Sequence, residues 1–133
     1  MTAEMTLEPY AVRLVLKSRD SKDSIEWGWI VSAFMEALAR YCTAAGPTII
    51  GHIKCFAQSP GSGFMKISVI DAKHKAEITG TINGQASELD VSLNVLVYGH
   101  TREKLEKITL ETIAAAGKPW SGMVYMAEAI PSK

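Results

Sequence analysis

The chain has 133 residues, 47% of them hydrophobic and 21% charged, with two cysteines. That size and composition predict one compact domain, residues 1–133, and exclude collagen-like, disordered and disulfide-framework classes. Fourteen basic residues balance fourteen acidic ones, so the chain lacks the net positive field that draws proteins to nucleic acid or anionic lipid, and its weak colloidal repulsion favours self-association.

In chain order, Met1 to Pro9 carries Glu4 and Glu8 and lacks the basic start and apolar stretch of a signal peptide. No window reaches the roughly 18 apolar residues of a membrane helix. Cys42 and Cys55 stand far apart without CxxC spacing, as expected of two small buried hydrophobes in a reducing cytosol. A cytoplasmic location and no membrane partner are the expectations.

Val12, Leu14 and Leu16 alternate with Arg13 and Lys17, predicting a first half-buried strand that the polar run Ser18 to Asp23 ends. Asp23 followed by Glu26 is a helix-start pattern, because the two side chains can satisfy orphan backbone donors. The apolar face of Ile30, Phe34, Leu38 and Tyr41 then predicts a helix from Ser24 to Ala44, stopped by Ala45-Gly46-Pro47. Trp27, Trp29 and the six methionines at such spacing read as core or interface rather than a cofactor pocket.

Thr48 to Ala57, Phe64 to Asp71 and Lys75 to Ile82 read as three strands, the first two joined by a turn at Gln58 to Ser62. Asn83-Gly84 suits a type I′ hairpin, since both central residues there need positive φ. Leu89, Val91, Leu93, Val95 and Val97 alternate with polar residues in the clearest period-two signal of the chain. Thr101 caps a second helix whose apolar face is Leu105, Ile108, Leu110 and Ile113, and Gly117 and Pro119 end it. Met123 to Ile130 predicts an edge strand returning in parallel, with an exchanged arm as the alternative. The expected fold is α+β: a two-layer sandwich whose mixed sheet has a four-stranded antiparallel meander, with two helices on one face.

A two-residue hairpin at Asn83-Gly84 would set Ile82 opposite Gln85, Ile78 opposite Leu89, Ala76 opposite Val91, Glu77 opposite Asp90 and Thr79 opposite Glu88. A five-residue turn before it would pair Phe56 with Phe64, Lys54 with Lys66, His52 with Ser68 and Ile50 with Ile70. Joining the hairpins sets Ser68 beside Glu77 and Lys66 beside Thr79. The outer sheet face would then carry a row of His52, Ser68, Glu77 and Asp90 beside Lys54, Lys66, Thr79 and Glu88.

That face gives the functional expectation: a homo-oligomeric binding module, such as a dimer, for a small anionic ligand or a protein partner. Lys54, Lys66, Ser68, Phe56 and Phe64 are the candidate ligand-binding residues. Antiparallel sheets ordinarily have a solvated outer face, so polar alternation alone is also an ordinary surface. An acid–base enzyme of hydrolase or isomerase class is the alternative, with His52 as acid or base and Glu77 or Asp90 as its partner. Single-stranded RNA stacking on Phe56 and Phe64 is a third reading, opposed by the neutral charge and the neighbouring acids. His52, His74 and His100 lack metal-ligand spacing, and Gly61 to Gly63 is neither a nucleophile elbow nor a phosphate loop. Neither a metal nor a cofactor is expected.

Overall fold

The computed structural model describes residues 6–19 and 24–131. The chain is α+β, with six strands in one open sheet and two helices. The strands are β1 (Tyr10–Ser18), β2 (Ile49–Ser59), β3 (Gly63–Val69), β4 (Glu77–Ile82), β5 (Glu88–Tyr98) and β6 (Val124–Pro131). The helices are α1 (Trp27–Ala44) and α2 (Arg102–Ala116), and a short 3-10 turn at Lys118–Trp120 precedes β6. Each element lies within a few residues of where periodicity and punctuation predict it.

The order across the sheet is β4-β3-β2-β5-β1-β6. The expected four-stranded meander is therefore corrected to β2-β3-β4, with β5 returning beside β2 in Greek-key order. The expected mixed sheet is also corrected, since every neighbouring pair is antiparallel. β6 does run parallel to β5, but β1 lies between them and is antiparallel to both. In the same way β5 separates β1 from β2. The core is thus two interlocked split β-α-β units, β1-α1-β2 and β5-α2-β6, with β3 and β4 added beyond β2.

The Asn83-Gly84 hairpin does not form, and β4 and β5 are not paired. Gly84 is not among the glycines with positive φ, which a type I′ turn requires. Asn83 instead accepts the Gln85 N–H through its side chain at 2.8 Å, while the Gly84 carbonyl accepts the Ile25 N–H at 2.9 Å. These bonds turn the chain away towards α1. The expected pairs Ile82/Gln85, Ile78/Leu89, Ala76/Val91, Glu77/Asp90 and Thr79/Glu88 are consequently absent. Ile78 faces Ile67 on edge strand β4 and stays exposed.

Between β2 and β3 the loop is Pro60 to Ser62, two residues shorter than expected, so partners shift by two while faces are kept. Gln58 rather than Phe56 faces Phe64, Phe56 faces Lys66, and Lys54 faces Ser68. The pairs Lys54/Lys66 and His52/Ser68 are therefore corrected. Ser68 beside Glu77 and Lys66 beside Thr79 are observed. A bulge at Gly51 shifts the β2–β5 register and turns Ile50 towards the core, opposite buried Val97. Ile50 therefore leaves the outer face, whereas Ile70 remains exposed.

Leu89, Val91, Leu93, Val95 and Val97 of β5 join inward residues of β1, β2 and β3 and the apolar faces of both helices in one buried cluster. α1 contacts β2, β3 and β4, α2 contacts β1, and the helices contact each other. Asp23 of the expected helix start lies outside the described residues, and Glu26 at the cap position makes no side-chain capping bond. Thr101 caps α2 as expected, accepting the Lys104 N–H at 3.2 Å, whereas Tyr41 and Leu110, expected on the apolar faces of α1 and α2, are exposed.

Gly80 sits mid-strand with φ of 89°, and a Cβ there would collide with the Phe64 carbonyl oxygen. Gly80→Ala should therefore destabilise the chain by about 1–2 kcal/mol or more, lowering the thermal midpoint by several degrees. Gly122→Ala, where a Cβ meets open space, should leave it unchanged.

Candidate functional site

The alternation of β2, β3 and β4 sends Lys54, Phe56, Lys66, Ser68, Glu77 and Thr79 to the side away from the core. With Asn94 of β5 they line a shallow depression of about 350 Å³. One row runs Glu77, Ser68, Lys54, Asn94 across the sheet and the next runs Thr79, Lys66, Phe56, Ser92. Each lysine therefore lies between uncharged neighbours. The two are diagonal to each other, within about 8 Å between backbones, so their charges repel across the depression. Among the described residues the ion pairs are Arg13–Asp90 and His74–Asp71, and neither lysine takes part in one. Glu77 is the one acid at this depression, at its β4 edge.

The structure brings together five of the expected site residues: Lys54, Phe56, Lys66, Ser68 and Glu77. Phe64 stands outside the lining but stacks on Phe56, with ring centroids 5.8 Å apart and planes 25° from parallel. Asp90 and His52 are not brought in. Three strand spacings separate β4 from β5, so Glu77 and Asp90 lie at least about 14 Å apart. Asp90 is also occupied, accepting hydrogen bonds from Arg13 Nε at 2.9 and 3.0 Å and from its terminal nitrogen at 2.6 Å. His52 faces Leu96 across the Gly51 bulge. It stands on β2, two strands from Glu77, or about 10 Å in spacing alone. The row His52, Ser68, Glu77, Asp90 is thus broken at both ends.

Asn94 and Arg13 were not among the expected site residues. Asn94 carries a visible signal, as a polar member of the β5 alternation, but it reaches the depression only because β5 adjoins β2. Arg13 is visible as the charged member of β1, and its pairing with Asp90 follows only once β1 is known to adjoin β5.

The remaining titratable groups have local roles. His100 is buried with its Nε2 2.8 Å from the Cys42 carbonyl oxygen, tying the start of α2 to the end of α1. Asp71 accepts the backbone N–H groups of His74 and Lys73 at 2.7 and 2.8 Å and meets the His74 ring at 2.7 Å. Those bonds hold its carboxyl below the usual range. Among the described residues no group of three His, Cys, Asp or Glu stands close enough to hold a metal. Comparisons with family models, curated sequences and solved structures return no match, so the site rests on its own geometry.

Burial pushes the Cys42 thiol up to about 11 and the Cys55 thiol up to about 12. Both should resist thiol reagents at pH 8 in the native chain and react fully once it is unfolded, because the thiolate is the reactive form. The unfolded thiols ionise near 9.0 while the folded ones stay protonated. Their stabilising contribution is therefore complete below pH 9 and falls progressively between pH 9 and about 11 to 12. Unfolding by denaturant across that range reads the loss directly.

Proposed function

We propose that this chain is a binding module that receives a small organic anion on the outer face of β2, β3 and β4. One observation carries the reading: two lysines without ion-pair partners among the described residues are held on adjacent strands of a concave surface, beside Ser68, Thr79 and Asn94. An anion placed between the ammonium groups relieves their mutual repulsion and gains charge-assisted hydrogen bonds. Phe56 offers an aromatic surface beside them, which favours an anion with a flat apolar part. The separation of His52 from Glu77 and Asp90 favours binding over acid–base chemistry.

Phenyl phosphate tests this. Titrated into the full chain, it should shift the backbone amide resonances around residues 54–56, 66–68 and 77–79. Lys54→Ala and Lys66→Ala should each weaken binding about tenfold, and raised salt should weaken it further because the site is exposed. No shifts there, or shifts that both variants retain, would overturn the proposal.

Self-association through the same face is favoured by one observation, the stacked Phe56 and Phe64 rings, 37% and 48% exposed. In sedimentation analysis, wild type should run as a dimer or larger closed assembly and Phe64→Glu as a monomer. Equal masses would remove this face as the contact.

A further inference from the structure

A second concavity lies on the opposite side of the sheet, where α1, α2 and the 3-10 turn stand over β1 and β6. Its volume is about 240 Å³, and its walls include Leu14, Leu16, Phe34, Ile113, Trp120 and Met126. Almost all of that lining is carbon. An apolar cavity of roughly 150 Å³ holds benzene, so this one has room for a larger apolar group. Its rim carries two cations, Arg19 and Lys118.

Arg19 is fixed at that rim. Its Nε donates to the Ser121 carbonyl at 2.6 Å, its backbone N–H donates to the Met123 carbonyl at 2.7 Å, and its guanidinium lies 4.7 Å from the centre of the Tyr125 ring. The terminal guanidinium nitrogens have no hydrogen-bond partner among the described residues. Neither Arg19 nor Lys118 forms an ion pair among those residues. A largely carbon-lined space with a preorganised guanidinium at its mouth, unpaired among the described residues, matches an elongated ligand with one anionic end.

We infer that this cavity is a binding site for an apolar carboxylate, with the hydrocarbon between the helices and β1/β6 and the carboxylate at Arg19 and Lys118. A carboxylate accepts from the terminal guanidinium nitrogens without displacing the Nε bond to Ser121. The methylenes of the ligand take the place of the contacts that the walls lack. The site is independent of the outer-face depression, from which the sheet divides it.

Decanoate and decanol, which share a chain and differ in charge, form the test on the full-length protein. Calorimetry should give saturable one-to-one binding of decanoate, with decanol about tenfold weaker. Octanoate, two methylenes shorter, should also bind roughly tenfold more weakly than decanoate. Arg19→Gln should weaken decanoate several-fold, narrowing its advantage over decanol, and leave decanol unchanged. Ala116→Phe, which fills the cavity, should abolish binding of both and leave phenyl phosphate on the outer face unaffected. Methyl resonances of the wild type locate the ligand even if that variant fails to fold. Shifts confined to Leu14, Leu16, Ile113 and Met126 support the site. Absence of binding, methyl shifts elsewhere, or an unchanged decanoate-to-decanol ratio in Arg19→Gln would each overturn it.

Discussion

The structure turns on the need of β5 for a partner along both edges. Five side chains of this strand, Leu89, Val91, Leu93, Val95 and Val97, alternate into the core and are at most 1% exposed. This strand lies at the middle of the sheet, where its backbone donors and acceptors are paired with β2 on one side and β1 on the other. β4 cannot serve as a full partner. It has six residues against eleven, is exposed over nearly its whole length, and carries Gly80 in a conformation that suits an edge. β2 and β1 are long enough, and β5 lies between them.

That single placement determines which groups can act together. Asp90 sits on the sheet centre beside Arg13, and the bidentate contact uses its carboxylate for cohesion between β1 and β5. Glu77, on β4, stays near Ser68 and both lysines. Had β5 paired with β4, the carboxylates of Glu77 and Asp90 would have faced each other beside Ser68. With β5 beside β2, the lysines adjoin Asn94 instead. The outer face changes from an acid pair to a cationic depression without any of its charged residues changing face.

The elements were legible in the sequence because their signals are local. Alternation in β5, the capping oxygen of Thr101 and the Gly46-Pro47 stop each act within one turn or strand. Strand partnership was less legible because it is a competition between distant segments, and Asn83-Gly84 carries the composition of a tight hairpin while serving another turn. The Asn83 side chain caps the Gln85 amide and Gly84 reaches Ile25, a residue 59 positions earlier. Lys54, Lys66, Ser68 and Glu77 were nonetheless placed on one face, since a register error of two residues preserves the face of every side chain. Ile50 escaped because Gly51 adds a bulge, which changes the face by one step.

The apolar cavity was beyond sequence reading for a different reason. Its lining comes from β1, α1, β5, α2, the 3-10 turn and β6, and in each of these the contributing residues look like ordinary core. Two irregularities open the space. α2 stops at Gly117 and the chain makes one 3-10 turn before β6, and a bulge shifts the β1–β6 register between Val15 and Leu16. A helix continued by another turn would bring further side chains over Leu16 and Met126. Unfilled apolar volume on this scale costs on the order of several kcal/mol when fully enclosed, and less where the mouth admits solvent. That is comparable with the net stability of an ordinary domain. The fold tolerates this cost beside a guanidinium anchored to Ser121 and stacked on Tyr125, and the coincidence of apolar volume and fixed charge sets this space apart from a packing defect.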